Sequence, residues 1–289
     1  MEPSIYSITS SHQSWPALLR ELPAKAIPAA LHIKGSLPSS DTLIVAIVGS
    51  RNPTRYGKDM TEEIARALAR RGIVIASGMA RGVDTIAHRA ALDAGTPTIA
   101  VLGSGLSEKV IYPKDNIGLS REIATKNGAV ISEYEPNQKP ELWTFPQRNR
   151  IIAGIAKAVI VTEAGEKSGA LITARYALEY GRDVLALPGQ MTSPLSRGTN
   201  SLLKEGATPI VSIESIFEAL GIETSEAPLD SANRSPSERA ILESLAEELS
   251  TDQIIGRTRL TPQIVLADTA SLEIEGMIKQ TGGVWRKLI

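Results

Sequence analysis

Hydrophobic residues in this chain fall into short continuous runs that alternate with segments of helical spacing. LIVAIVG (Leu43–Gly49) is apolar, rich in β-branched residues and ends at glycine. Runs of this kind mark strands buried on both faces, as in parallel sheets. Between Thr61 and Arg71, Ile64, Ala65 and Leu68 recur at helical spacing. IVIASG (Ile73–Gly78) reads as a second buried strand, Asp84–Ala94 as a helix and PTIAVLG (Pro97–Gly103) as a third strand. The alternation continues with a helix over Leu119–Asn127, a strand over Ala129–Glu133, a helix starting at Arg148 and a strand over Ala158–Ala164. A helix over Leu171–Tyr180, a strand over Asp183–Gly189, a helix over Asn200–Glu205 and a strand over Pro209–Ser212 complete it. Six or seven strands separated by helices predict an α/β protein with a doubly wound, mostly parallel sheet over residues 44–222.

Both flanks break this pattern. Residues 1–43 hold a helical stretch, Ser14–Leu22, and a small strand, Ala30–Gly35. They are too few for a core of their own, so they are expected to pack on the sheet domain. From Glu223 the polar stretch ETSEAPLDSANRSPS carries two prolines and predicts a linker over 223–235. Ser235-Pro236-Ser237-Glu238 has the form of a capping box with proline at the first helical position. Helices are predicted over Pro236–Leu249, Ser250–Thr258 and Thr261–Gln280, and a strand over Gly282–Ile289. Three helices and a terminal strand in residues 236–289 read as a small winged-helix-like domain.

Charge changes the picture once it is divided. The whole chain has a formal net charge of −1, which argues against gripping a polyanion through bulk charge. Residues 44–222, however, carry 21 basic against 18 acidic residues, and residues 223–289 carry 7 against 11. A core of +3 is offset by an appendage of −4. Cysteine is absent, which excludes a disulfide framework, a thiolate metal site and a cysteine nucleophile. The histidines at 12, 32 and 88 form no sequence-local ligand pair, so no metal is expected. Met1–Ser10 has no basic and apolar leader pattern and no apolar run reaches about 18 residues, so a soluble, cytoplasmic protein is expected.

In a doubly wound sheet, ligands bind beyond the carboxyl ends of the strands. GSRNPTRYG follows the first strand, placing Gly49, Ser50, Arg51 and Arg55 there. SGMARGVD follows the second, with Ser77, Gly78, Arg81, Gly82 and Asp84, and VLGSGL ends the third, with Gly103 and Gly105. FPQRNR (Phe145–Arg150) sets one of only two phenylalanines beside Arg148, Asn149 and Arg150. GEKSG places Lys167, Ser168 and Gly169 after another strand, with Arg175 two helical turns on. Flat rings beside guanidinium groups suit single-stranded nucleic acid. The same residues also fit ordinary glycine turns, a buried ring and structural ion pairs, and spacing alone leaves both readings open. The fingerprints GxGxxG, GxxxxGK[ST] and GxSxG are missing, so no nucleotide cofactor is expected.

Taken together and in order, these segments resemble the DNA-processing protein A (Smf) family. The likeness rests on IVGSR, SGMARGVDTIAH, VLGSGL with IYPKDN, ISEY, FPQRNRIIAG, VIVTEAGEKSGALITA, GRDVLALPG and RGTNSLLKEGA, and it runs from about Leu43 to Leu220. It implies an extended Rossmann-like core that binds single-stranded DNA without a cofactor, loads the RecA recombinase onto it in natural transformation, and forms a homodimer. Carried over by motif, Arg51 and Lys114 are expected to contact phosphates and Phe145 to stack on a base. Arg148 and Arg150 are expected in or beside the pocket, with Lys167 and Arg175 as further contacts. Many members begin with a helical SAM-like domain that 43 residues cannot hold, so the chain reads as a short-headed member.

An enzyme is the rival. Nucleotide phosphoribohydrolases of the lysine-decarboxylase-like type share this superfamily fold. Their PGGxGTxxE motif resembles PGQMTSPLSRGTN only loosely, and Glu163 is the one acid at a strand end that fits such a role.

Overall fold

In the computed structural model, which describes residues 3–222 and 235–287, the apolar run Ile44–Val48 is buried along its whole length. It is the third strand in chain order, β3, after β1 (Ile5–Ile8), α1 (Ala17–Arg20) and β2 (Leu31–Gly35). The core continues with α2 (Arg55–Arg70), β4 (Val74–Ser77), α3 (Val83–Asp93), β5 (Thr98–Val101), α4 (Ile117–Thr125), β6 (Ala129–Ser132) and α5 (Thr144–Ile155). It ends with β7 (Ala158–Val161), α6 (Gly169–Glu179), β8 (Asp183–Ala186), α7 (Arg197–Lys204), β9 (Thr208–Pro209) and α8 (Ile213–Ala219). The nine strands order as β1-β2-β6-β5-β4-β3-β7-β8-β9. All neighbours from β6 to β9 pair parallel, while β1 and β2 join antiparallel beside β6.

Period-two alternation along the strands sends side chains to both faces of the sheet. Ile44, Ala46 and Val48 pack on one side with Ile151, Ile152 and Ile155 of α5 and Ala170 and Ala174 of α6. Val45 and Ile47 pack on the other with Ile64 and Leu68 of α2 and Val83 and Ala87 of α3. Helices thus cover both faces, and the architecture is a doubly wound, Rossmann-like sheet. The N-terminal segment adds Trp15, Leu19 and Leu22 to the first of these cores.

The chain leaves β3 in one direction through β4, β5 and β6, then returns beside β3 with β7 and proceeds the other way. The switch point lies between β3 and β7, where the diverging loops leave a crevice.

Several boundaries differ from the sequence reading. The helix expected from Thr61 begins at Arg55, because the Thr54 side chain accepts the Gly57 N–H as an N-cap. The helix expected from Arg148 begins at Thr144. Strand β1 was not anticipated; it is short and its only ladder partner, β2, is distant in sequence.

The second unit is described by itself. It contains α9 (Pro236–Ser244), β10 (Leu249–Ser250), α10 (Thr251–Thr258), α11 (Pro262–Ile274), β11 (Ile278–Thr281) and β12 (Val284–Lys287). Ser235 and Glu238 form the reciprocal capping box. The helix expected to run to Gln280 stops at Ile274. Gly276, at φ +68°, lets Met277 N–H reach Leu272 C=O and its own N–H reach Glu273 C=O, a Schellman closure. The residues beyond it pair with β12 as a hairpin, turned by Gly282 and Gly283 at positive φ. Three helices and this wing enclose Ile241, Leu242, Ile254, Val265, Leu272 and Trp285. The linker expected over 223–235 lies, except for Ser235, outside the described residues. Among the described residues no helix is long and apolar enough to cross a membrane.

Candidate nucleic-acid interface

The loop after β3 is fixed by a buried carboxylate. Glu163, at the end of β7, accepts Thr54 N–H (2.8 Å) on one oxygen and the Thr54 hydroxyl (2.6 Å) on the other. Its carbonyl accepts Ser50 N–H (2.7 Å). These hydrogen bonds tie the loop after β3 to the residues that follow β7, fixing one wall of the switch-point crevice. Glu163 is the acid the enzyme reading requires, yet both its oxygens are committed to Thr54. In the PGQMTSPLSRGTN loop Asn200 accepts Gly189 N–H and donates to Gly189 C=O, and Gly198 N–H donates to Ala164 C=O (2.8 Å), so the loop packs beside the end of β7.

Gly82 shows why this corner needs glycine. It lies at φ +77°, and a Cβ there would stand 2.4 Å from Ser50 C=O, while Val83 N–H donates to the same oxygen (3.1 Å). The β4 loop thus docks directly on the β3 loop. Asp84 ties it down by accepting Gly78 N–H (3.1 Å) and Ala80 N–H (3.2 Å). Ser77 donates its hydroxyl to Ile47 C=O (2.6 Å).

Arg148 forms the floor. It is buried, donates to Gly78 C=O (2.6 Å) and to Val101 C=O, and bonds Asn149 Oδ1 (3.2 Å). Burial pulls its pKa down to about 10, against the opposing pull of Asp84. Burial likewise pushes the Asp84 carboxyl up, while Arg148 and the two amides hold it down. The two charges compensate each other inside the protein.

Above this floor opens a cavity of about 1040 Å³. Its lining includes Gly49, Arg51, Phe145, Arg148, Asn149, Lys167, Ser168 and Gly169. The Phe145 ring is half-buried, lies 5.7 Å from the Tyr112 ring and 5.9 Å from the Arg51 guanidinium carbon. Gly103 backs it: a Cβ there would come within 2.9 Å of Phe145 Cδ1. Ser168 caps α6 by accepting Ala170 N–H, and Asn149 donates to Gly169 C=O (3.1 Å), joining the middle of α5 to the α6 N-terminus.

Several residues singled out in the sequence stand elsewhere. Lys114 is exposed on a short 3₁₀ turn, two residues beyond the cavity-lining Tyr112. Ser50, Ser77, Gly78, Gly82, Gly103 and Gly105 build the loops behind the lining rather than the lining itself. Gly105 is packed against the Glu135 and Pro136 carbonyls. Arg150 is turned away and buried in an ion pair with Glu133; the helix places it on another face from Arg148. Arg175 is exposed on α6, one turn past the lining residue Ile172. Conversely, Tyr112, Leu142 and Trp143 line the cavity without having been singled out. In a chain with 4% aromatics, a tryptophan two residues before Phe145 was the available signal.

Cation, flat ring and glycine-rich loops at one switch point define an α/β protein whose cavity suits an anionic ligand carrying rings. Comparison with known proteins gives the family. The sequence model described as DNA recombination-mediator protein A matches residues 6–221, and that of the DprA winged helix domain matches residues 223–284. The chain belongs to the DNA-processing protein A (DprA/Smf) family. It is 41% identical over 220 residues to DNA processing protein DprA of Bacillus subtilis, covering 76% of this chain and 72% of that one. It is 40% identical over 219 residues to protein Smf of Escherichia coli, covering 76% of this chain and 58% of that one. Its core is similar to the crystal structure of Streptococcus pneumoniae DprA (TM-score 0.68, 40% identity, 74% of each chain). It is also similar to a Helicobacter pylori DprA structure described for its single-stranded DNA binding mode (TM-score 0.67, 36% identity, 76% of this chain and 98% of that one).

Proposed function

We propose that this protein binds single-stranded DNA in the switch-point cavity and acts in recombination by delivering that strand to a RecA recombinase, as a homodimer and without a cofactor or catalytic step. The observation that carries the reading is the juxtaposition of Arg51 and Phe145 on one cavity. A guanidinium beside a ring engages phosphate and base of the same nucleotide, and both contacts tolerate any sequence. The description of the Helicobacter pylori relative supports the same ligand.

In this reading Arg51, Lys114 and Lys167 meet phosphates and Phe145 meets a base. Arg148 holds the floor in shape, with Asn149 fixing the α6 loop. Arg150 positions α5 from behind, and Arg175 extends the cationic track past the cavity. The acidic winged-helix unit stays off the DNA. Natural transformation is the setting in which such a mediator receives single strands.

A gel shift with labelled oligo-dT at low and moderate salt tests the reading. A shift that weakens as salt rises is expected. No shift at low salt, or release of free base on incubation with nucleoside monophosphates, overturns it.

A further inference from the structure

Trp143 sits on the rim of the cavity at the N-cap of α5. It is 52% exposed, whereas the other two tryptophans, Trp15 and Trp285, are 0% and 5% exposed. The indole is nonetheless held in place. Its Nε1–H donates to the Glu141 carboxylate. Its ring meets Tyr134 edge to face, with centroids 6.0 Å apart at 85°. A large apolar surface kept in water and already ordered loses little side-chain entropy when a flat partner covers it.

Positions two apart on a helix do not share a face. Trp143 and Phe145 therefore present their rings on different sides of the α5 N-terminus while lining one cavity. Leu142, 92% exposed, continues the apolar rim beside Trp143. Glu141, which also lines the cavity, has its carboxylate engaged by the indole. A strand crossing the end of α5 meets one ring and then the other.

We propose that Trp143 is a second stacking platform, taking a base of the same single strand that Phe145 engages. This rests on the single-strand reading of the cavity. The platform lengthens the contact by one nucleotide without adding charge, so it raises affinity without steepening the salt dependence.

The distribution of tryptophans supplies the test. Labelled oligo-dT is titrated with the whole 289-residue chain, following oligonucleotide anisotropy and tryptophan emission in parallel. With Trp15 and Trp285 buried, emission is expected to be quenched along the same curve as the anisotropy rise. Trp143→Ala is expected to bind roughly tenfold more weakly. Trp143→Phe is expected to bind more tightly than Trp143→Ala, with the quenching gone. An anisotropy rise with unchanged wild-type emission overturns the platform and leaves the single-strand reading standing, as does wild-type affinity in Trp143→Ala. No anisotropy rise at all overturns both.

Discussion

The Arg51 guanidinium carbon lies 5.9 Å from the centre of the Phe145 ring, within the range at which a cation and a ring face attract. One residue leaves β3 and the other opens α5, so the pair exists only because the switch point brings those elements together. Gly103 makes room for it. In Gly103→Ala the new methyl would press on Phe145 at 2.9 Å and displace the ring. Oligo-dT affinity is expected to fall severalfold. In a Phe145→Ala background the same change is expected to add little, because coupled residues are non-additive. Anisotropy titrations of both singles and the double check this.

Arg148 is a structural charge. Removing it in Arg148→Met leaves Asp84 buried without its cation and strips donors from the Gly78 and Val101 carbonyls. A loss of about 3–5 kcal/mol is expected. Asp84→Asn combined with Arg148→Met is expected to recover part of it. Urea unfolding of wild type and these two variants measures both effects.

Acid is expected to destabilise the core through His88. Thr98 donates its hydroxyl to Ile75 C=O (2.6 Å), so it accepts from His88 Nδ1–H (2.8 Å). His88 Nε2 is then the bare nitrogen, buried without a partner. Burial, with Arg148 nearby, lowers the pKa from 6.5 to about 3. The unfolded chain takes up this proton first. The stabilisation is therefore complete above pH 6.5 and is lost as pH falls from there toward 3. The slope from this one group is at most about 1.4 kcal/mol per pH unit. Denaturation midpoints across that window are expected to fall less steeply in His88→Gln.

The winged-helix unit is expected to be dispensable for gripping the strand. Its third helix, α11, carries Asp268 and Glu273 and no lysine or arginine. A chain ending at Ile222 keeps the sheet with its own cores. It is expected to bind oligo-dT within about threefold of the full chain, since phosphate contacts supply most sequence-independent affinity. A tenfold loss in anisotropy titrations would place α11 or its wing on the DNA.

Much of the core was legible because parallel strands buried on both faces read as unbroken apolar runs; Ile44–Val48 and Ala158–Val161 are such cases. Loop positions followed from glycines at strand ends. Illegible were features decided by tertiary pairing. Strand β1 has no pattern without β2 beside it. Arg148 and Arg150 look alike in sequence, but helical rotation sends one to the cavity floor and the other to Glu133. Glu163 read as a candidate acid because nothing in the sequence reveals that Thr54 claims both its oxygens. The division of charge between core and appendage needed only the sequence, but not which cations meet the crevice: of the core's basic residues Arg51, Arg148 and Lys167 line the cavity.

In the proposed complex Arg51 and Phe145 hold phosphate and base of one strand. Oligo-dT affinity measured over a series of salt concentrations for wild type, Arg51→Ala and Phe145→Ala tests this most directly. Phe145→Ala is expected to lose about 1–3 kcal/mol at every salt with the slope unchanged. Arg51→Ala is expected to flatten the slope of log K against log salt by about 0.7, the share of one phosphate on a single strand. Wild-type affinity and slope in both variants, with both folded, would overturn this pairing of Arg51 with phosphate and Phe145 with base.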